Sequence, residues 1–166
     1  VMGSREMLLN KQNHSVCFYI PYIEDYKVGT RLYENIRQSS IKNNISPIFA
    51  SEINKEIDTE YLISFANQIQ PSFLIVFNDA DLDEVNFFKG KYSESTMGKV
   101  LAKNLAENFS MKLRGSSSEI LTKTKSTTII INTNNERFGN NYQRIDSEKI
   151  CASIVLSIKE ISSGLL

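Results

Sequence analysis

One imidazole is available to this 166-residue chain, that of His14. Histidine is the commonest general base and zinc ligand, so a Ser-His-Asp or Cys-His arrangement would have to use this residue. It lies in a polar segment ahead of the first apolar run, where a surface role fits better than ligation. No GxSxG elbow accompanies it, and neither GxGxxG nor a P-loop is present. Cys17 and Cys151 each stand in an apolar stretch and form no CxxC pair, which favours two buried free thiols over a disulfide or a thiolate zinc site. The densest acidic run is Asp79-Ala80-Asp81-Leu82-Asp83-Glu84. Its alternating carboxylates resemble the start of a calcium loop, but Glu84 stands where such a loop needs glycine and Gly90 where it needs a bidentate glutamate. A solvated loop is the better reading, with weak calcium or magnesium binding as its exception. Asn78 follows one apolar run and Asn132-Thr133-Asn134-Asn135 follows another. Beyond the carboxyl ends of parallel strands, two such asparagines would share a crevice and offer neutral hydrogen bonds. Asparagine also simply suits turns, and spacing alone does not choose between these readings.

The elements that must hold these residues alternate between strand-like and helix-like patterns. Val16–Ile20 is a compact apolar run ended by Pro21 and reads as a buried strand. From about Asp25 to Asn43, Val28, Leu32, Tyr33 and Ile36 recur at helical spacing. Pro47–Ala50 reads as a second strand, and Asp58 as the cap of a helix with Tyr61, Leu62, Phe65, Ala66 and Ile69 along one stripe, stopped by Pro71. Ser72–Phe77 is the strongest strand, and Asn86–Phe88 is a fourth. Ser93 is placed to cap a helix with Met97, Val100, Leu101, Leu105 and Phe109 inward. Glu119–Leu121 reads as a short strand and Thr128–Ile131 as a buried one. Asp146 or Ser147 opens a last helix with Ile150, Cys151, Ile154, Val155 and Ile158 inside, ended by Ser162-Ser163-Gly164. The expected loose parts are the first dozen residues, Asn78–Glu84, Ser116–Ser118 and Asn132–Asn141. Such alternation predicts an α/β fold, a mostly parallel or mixed sheet of about six strands with helices on both faces.

Bulk properties bound the function. Apolar residues make up 41% and charged residues 23%, the balance of a globular protein with one core. Acids and bases cancel at 19 each, so no long-range field draws the chain to nucleic acid. No apolar run approaches the ~20 residues that span a bilayer, so no membrane insertion is expected. Val1 is not methionine and Met2-Gly3-Ser4 reads as a cloning remnant. Residues 1–14 are therefore expected to be a tag or flexible segment and 15–166 a single α/β domain.

Three stretches carry a family resemblance. Lys112-Leu113-Arg114-Gly115 after an amphipathic helix, followed by Glu119 through Thr133, is similar to a stretch of the zinc-dependent N-acetylmuramoyl-L-alanine amidases of the amidase-3 type. Phe65-Ala66-Asn67 followed by Pro71 through Ala80 resembles the family's helix end and its Phe-Ile-Ser-Ile-His-Asn strand. Phe18-Tyr19-Ile20-Pro21 resembles the entry to its first histidine loop. The family holds zinc with two histidines and a glutamate and uses a second glutamate in catalysis. The resemblance sets the first histidine at or near Ile23, the glutamate ligand near Asp25, the second histidine at Asn78 and the catalytic glutamate at Asn132. Tyr22-Ile23-Glu24-Asp25 is also far shorter than the Gly-rich loop that separates the first two ligands in the family.

An aliphatic side chain cannot ligate zinc, a carboxamide is a poor ligand beside imidazole, and asparagine cannot act as a general base. The resemblance therefore implies an amidase-like domain of the bacterial cell envelope or exterior that holds no zinc or other cofactor. It would serve in binding or scaffolding, with a peptidoglycan fragment or another envelope protein as partner. Asp25, Asn78 and Asn132 mark the expected site. The alternative is an active cell-wall amidase, or a hydrolase using a hard metal on Asp25, Asp79 and Asp81.

Overall fold

The structure, a computed structural model, describes residues 14–21, 23, 25–52, 55–134 and 146–164. The strands are β1 (His14–Tyr19), β2 (Ile45–Phe49), β3 (Phe73–Asp79), β4 (Glu84–Phe88), β5 (Lys112–Ser116) and β6 (Thr127–Thr133). The helices are α1 (Tyr26–Lys42), α2 (Thr59–Ile69), α3 (Thr96–Phe109), α4 (Glu119–Lys123) and α5 (Ser147–Ser162). One sheet runs in the order β2-β1-β3-β6-β4-β5. β2, β1, β3 and β6 are mutually parallel, β4 is antiparallel to β6, and β5 is parallel to β4. This is the expected mixed α/β sheet of six strands, covered on both faces. None of the described helices is long and apolar enough to cross a membrane.

Alternation along the strands divides the core. Val16, Phe18, Phe73, Ile75, Phe77, Val85, Phe87, Ile129 and Ile131 point to the face covered by α1, α3 and α5. Cys17, Leu74, Val76 and Ile130 point to the other face, under α2 and α4. The central strands are thus apolar on both sides, as parallel strands buried between helical layers must be. Cys17 and Cys151 are buried free thiols that belong to different faces. Burial pushes the Cys17 thiol from 9.0 up to about 12. It carries Cys151 to about 11, against a hydrogen bond with Ser40 that acts the other way and with Glu148 adding to the rise.

Caps fix the helix starts. Asp58 accepts from the Tyr61 amide at 2.7 Å and Asp146 from that of Glu148 at 2.9 Å, each at a start legible from sequence. The cap of α3 is Ser95 rather than the expected Ser93, accepting from the Gly98 amide at 3.0 Å. Residues 93 and 94 are held extended instead: the Gly90 amide donates to the Ser93 carbonyl, and Lys89 bridges to Glu94. Glu119–Leu121, expected as a strand, forms α4. Ile120 and Leu121 are both buried under the same face, which consecutive strand residues, alternating in direction, would not achieve. The sixth strand is Lys112–Ser116. Backbone pairing with β4 holds it although its first three residues are exposed. Gly115 is required there, because a Cβ would lie 2.5 Å from the Lys89 Cβ.

Two expected loops are partly strand. β3 runs through Asp79 and β6 through Thr133, because their parallel pairing continues to Asn78↔Asn132 and Asp79↔Thr133. The acidic run is correspondingly split: Asp79 ends β3, Glu84 opens β4, and only the residues between form the turn. Residues 1–13, expected as tag or flexible, and 135–141, expected as loop, lie outside the described residues, and His14 belongs to β1.

Candidate functional site

The site forms where the direction of one strand reverses. β3 and β6 end side by side, and antiparallel β4 begins beside them, so Glu84 pairs with Asn132 in register. Asn78 and Asn132 follow Phe77 and Ile131, which enter the larger core, so alternation turns both carboxamides to the α2–α4 face. Asn86 turns the same way, between Val85 and Phe87.

A row of carboxamides results. Asn78 Nδ2 donates to Asn132 Oδ1 at 2.8 Å. Asn132 Nδ2 donates to Asn86 Oδ1 at 2.7 Å and to the Glu84 carbonyl at 3.1 Å. Asn86 Nδ2 in turn donates to Glu84 Oε1 at 2.8 Å and to the Arg114 carbonyl at 3.3 Å. Arg114 approaches Glu84 Oε1 at 3.7 Å and completes the row. Asn132 and Asn86 are 7% and 9% exposed, and both amide hydrogens of each are used. Leaving such groups unpaired would cost about 1–3 kcal/mol each, so saturation is what permits their burial. Beside the network, Thr133 Oγ1 donates to Asp83 Oδ1 at 2.8 Å and ties the turn to β6. Asn86 was not among the expected site residues. Its signal in the sequence is an asparagine inside an apolar strand, where that residue is disfavoured.

The remaining expected site residue is engaged locally. Asp25 follows β1, whose carboxyl end lies beside that of β3, but its carboxylate accepts from the Lys27 and Val28 amides at 3.0 and 3.4 Å as the cap of α1. The structure joins Asn78 directly to Asn132 and gives Asp25 a separate task. Ile23 is 2% exposed and packed into the larger core. His14 sits at the opposite end of β1, with Nδ1 3.1 Å from Ser72 Oγ.

Among the described residues no three His, Cys, Asp or Glu side chains group as metal ligands. The donor set at the positions matched by resemblance is one core isoleucine, one capping carboxylate and two carboxamides engaged with each other. It does not fit zinc, which takes imidazole, thiolate or carboxylate in tetrahedral array.

Next to Asn78 the α2–α4 face opens into a cleft of about 550 Å³. Leu62, Val76, Ile120 and Ile130 form its apolar wall, and Tyr19, Glu56, Asp79 and Glu119 its polar margin. The Tyr19 hydroxyl accepts from the Ile57 amide at 3.5 Å. Its acidity is weakened by burial first, eased by that hydrogen bond, and weakened again by the negative field of Glu56.

This fold, a mixed six-stranded sheet between helical layers, is that of N-acetylmuramoyl-L-alanine amidase catalytic domains. The apo form of the amidase Ami1 from Mycobacterium abscessus superposes with a TM-score of 0.70 at 10% identity, over 89% of this chain and 99% of that one. The catalytic domain of CwlV, an amidase from Bacillus (Paenibacillus) polymyxa var. colistinus, gives 0.65 at 8% identity, over 89% and 97%. AmiC2 of Nostoc punctiforme gives 0.64 at 14%, over 89% and 98%. No family model and no curated protein matches the chain by sequence. At these identities the likeness is one of fold.

Proposed function

We propose that this chain is an amidase-related domain of the bacterial cell envelope that binds a peptidoglycan fragment or another envelope protein and does not hydrolyse. The observation that supports this reading is the Asn78–Asn132–Asn86 row, with its bonds at 2.8 and 2.7 Å. In the fold of an amidase it occupies the carboxyl edge where functional groups of open α/β sheets collect. Amide hydrolysis by a zinc enzyme needs a water of lowered pKa and a base beside it. Carboxamides neither titrate at physiological pH nor hold zinc against competition from water, and here both amide hydrogens of Asn86 and of Asn132 are already committed. The fold and the edge position are retained, which suits recognition of a related ligand without turnover.

Elemental analysis of the purified protein, beside a peptidoglycan-digestion assay with zinc in excess, tests the reading. The expected result is zinc far below one per chain and no released peptide, with retention on isolated sacculi or on an envelope protein in a pull-down. One tightly held zinc per chain, with turnover abolished by a chelator, would overturn it and favour the active-hydrolase alternative.

A further inference from the structure

We propose that the outer edge of β5 receives an extended acidic segment of a partner protein as an added strand, paired through the backbone of Leu113 and Gly115 and selected by the cations on either side. This surface lies at the end of the sheet and does not rest on the binding reading above.

The backbone comes first. β5 ends the strand order and pairs only with β4. The Lys112 amide donates to the Asp83 carbonyl and the Lys89 amide to the Ser116 carbonyl, so Lys112, Arg114 and Ser116 turn their backbone groups to β4. Alternation turns the N–H and C=O of Leu113 and Gly115 outward. These four groups have no hydrogen-bond partner among the described residues. The opposite edge of the sheet is built differently. There the Ala50 amide donates to the Phe18 carbonyl, and the same alternation sets Pro47 of β2 outward, where it withholds the central donor. One edge is blunted, and the other is a template for a further strand.

Charge decides the occupant. Residues 84–116 hold six cations and three carboxylates. Glu84 is matched by Arg114 at 3.7 Å and Glu94 by Lys99 at 3.3 Å, while the Asp83 carboxylate accepts from Thr133. Lys112 and Lys89 form no ion pair among the described residues. Lys112, in register with Glu84, flanks the edge on the α2–α4 face. Lys89, whose stem lies against Gly115, flanks it on the other. A second copy of the chain suits the edge poorly. Antiparallel pairing of β5 with itself, centred on Leu113 or on Arg114, sets cations directly opposite one another. An acidic strand meets complementary charge on both faces.

The test is an NMR titration of the 166-residue chain with a blocked Thr-Glu-Val-Glu-Thr peptide and with its glutamine and lysine counterparts, read together with amide hydrogen exchange. The glutamate peptide should shift the Leu113 and Gly115 amides saturably. With peptide at about ten times its Kd, exchange at these two amides should slow about tenfold, while the Lys112 amide, already bonded to Asp83, should not change. The glutamine peptide should bind roughly fivefold more weakly and the lysine peptide more weakly still. Lys112→Gln, at an exposed position in no ion pair, should weaken the glutamate peptide roughly threefold and leave the glutamine peptide unchanged. Leu113→Pro, which copies the device of Pro47, should abolish binding of all three. Equal binding of the three peptides, or shifts confined to other amides, would overturn the assignment. So would protection of Leu113 and Gly115 that grows with protein concentration and needs no peptide, since the occupant would then be a second copy. Zinc content and sacculus retention are measured separately, so this surface and the binding reading fail independently.

Discussion

One face of the sheet carries helices of 17, 14 and 16 residues, the other helices of 11 and 5. The first is sealed: Leu101, Leu105, Ile150 and Ile154 are fully buried against the strands. The second covers less of the sheet, and the uncovered part is the cleft at Asn78. The same strands supply both faces, so the difference lies in the helices. Apolar burial is concentrated where cover is complete, and strand residues reach a cleft where it is not.

The largest expected effect compares the faces directly. Leu105→Ala removes a fully buried side chain from the sealed face and should cost roughly 2–5 kcal/mol. Ile120→Ala, at the wall of the cleft, should cost less, about 1–2 kcal/mol, because solvent and neighbours can fill the space. Urea unfolding of the two variants decides it. An equal or larger loss at Ile120 would mean that the thin face is as much a part of the stabilising core as the thick one.

A smaller contrast is expected within the network. Asn132→Ala leaves the Asn86 oxygen and the Glu84 carbonyl without their donor in a buried setting, at a cost of roughly 1–3 kcal/mol. Asn78→Ala removes only an exposed partner, so water replaces it at a cost of about 0.5 kcal/mol. Unfolding midpoints that rank the two in the opposite order would show that the network is anchored from the cleft rather than from β4.

Sequence patterns specified the central strands and most helix starts because burial and capping leave local marks. Val16–Ile20 and Thr128–Ile131 are apolar without interruption, and Asp58 and Asp146 precede apolar stripes. They failed where a tertiary partner decides. Three residues at Glu119 are too few to show a period, so the helix that buries both Ile120 and Leu121 was not distinguishable from a strand. β5 is held by its backbone pairing to β4 and leaves no apolar signature. At the site, the position of Asn78 and Asn132 after two buried runs was readable, but their bond required the parallel register of β3 and β6. The part of Asn86 required β4 to run antiparallel, a choice no local pattern records. The cap role of Asp25 was readable in principle from its place before the α1 stripe, yet the same position also suits a ligand.

The last contrast separates the two thiols, one under each face, and is read as a slope against pH rather than as a loss at one pH. Burial holds Cys17 at about 12 and Cys151 at about 11, against 9.0 for an ordinary thiol. An unfolded chain ionises both from about pH 9, while the folded chain keeps its protons. Between those limits the unfolded state therefore binds fewer protons, and stability falls as pH rises. Each thiol contributes a slope of roughly 1.4 kcal/mol per pH unit, fully absent below about pH 9. Cys17→Val should flatten the alkaline slope up to about pH 12, whereas Cys151→Val should flatten it only to about pH 11. The substitutions leave every other ionisable residue in place, so comparing urea unfolding from about pH 8 to about pH 12 isolates the thiols. A slope unchanged by Cys17→Val would mean that water reaches the Cys17 thiol through the thin face, so that α2 and α4 do not seal this part of the core.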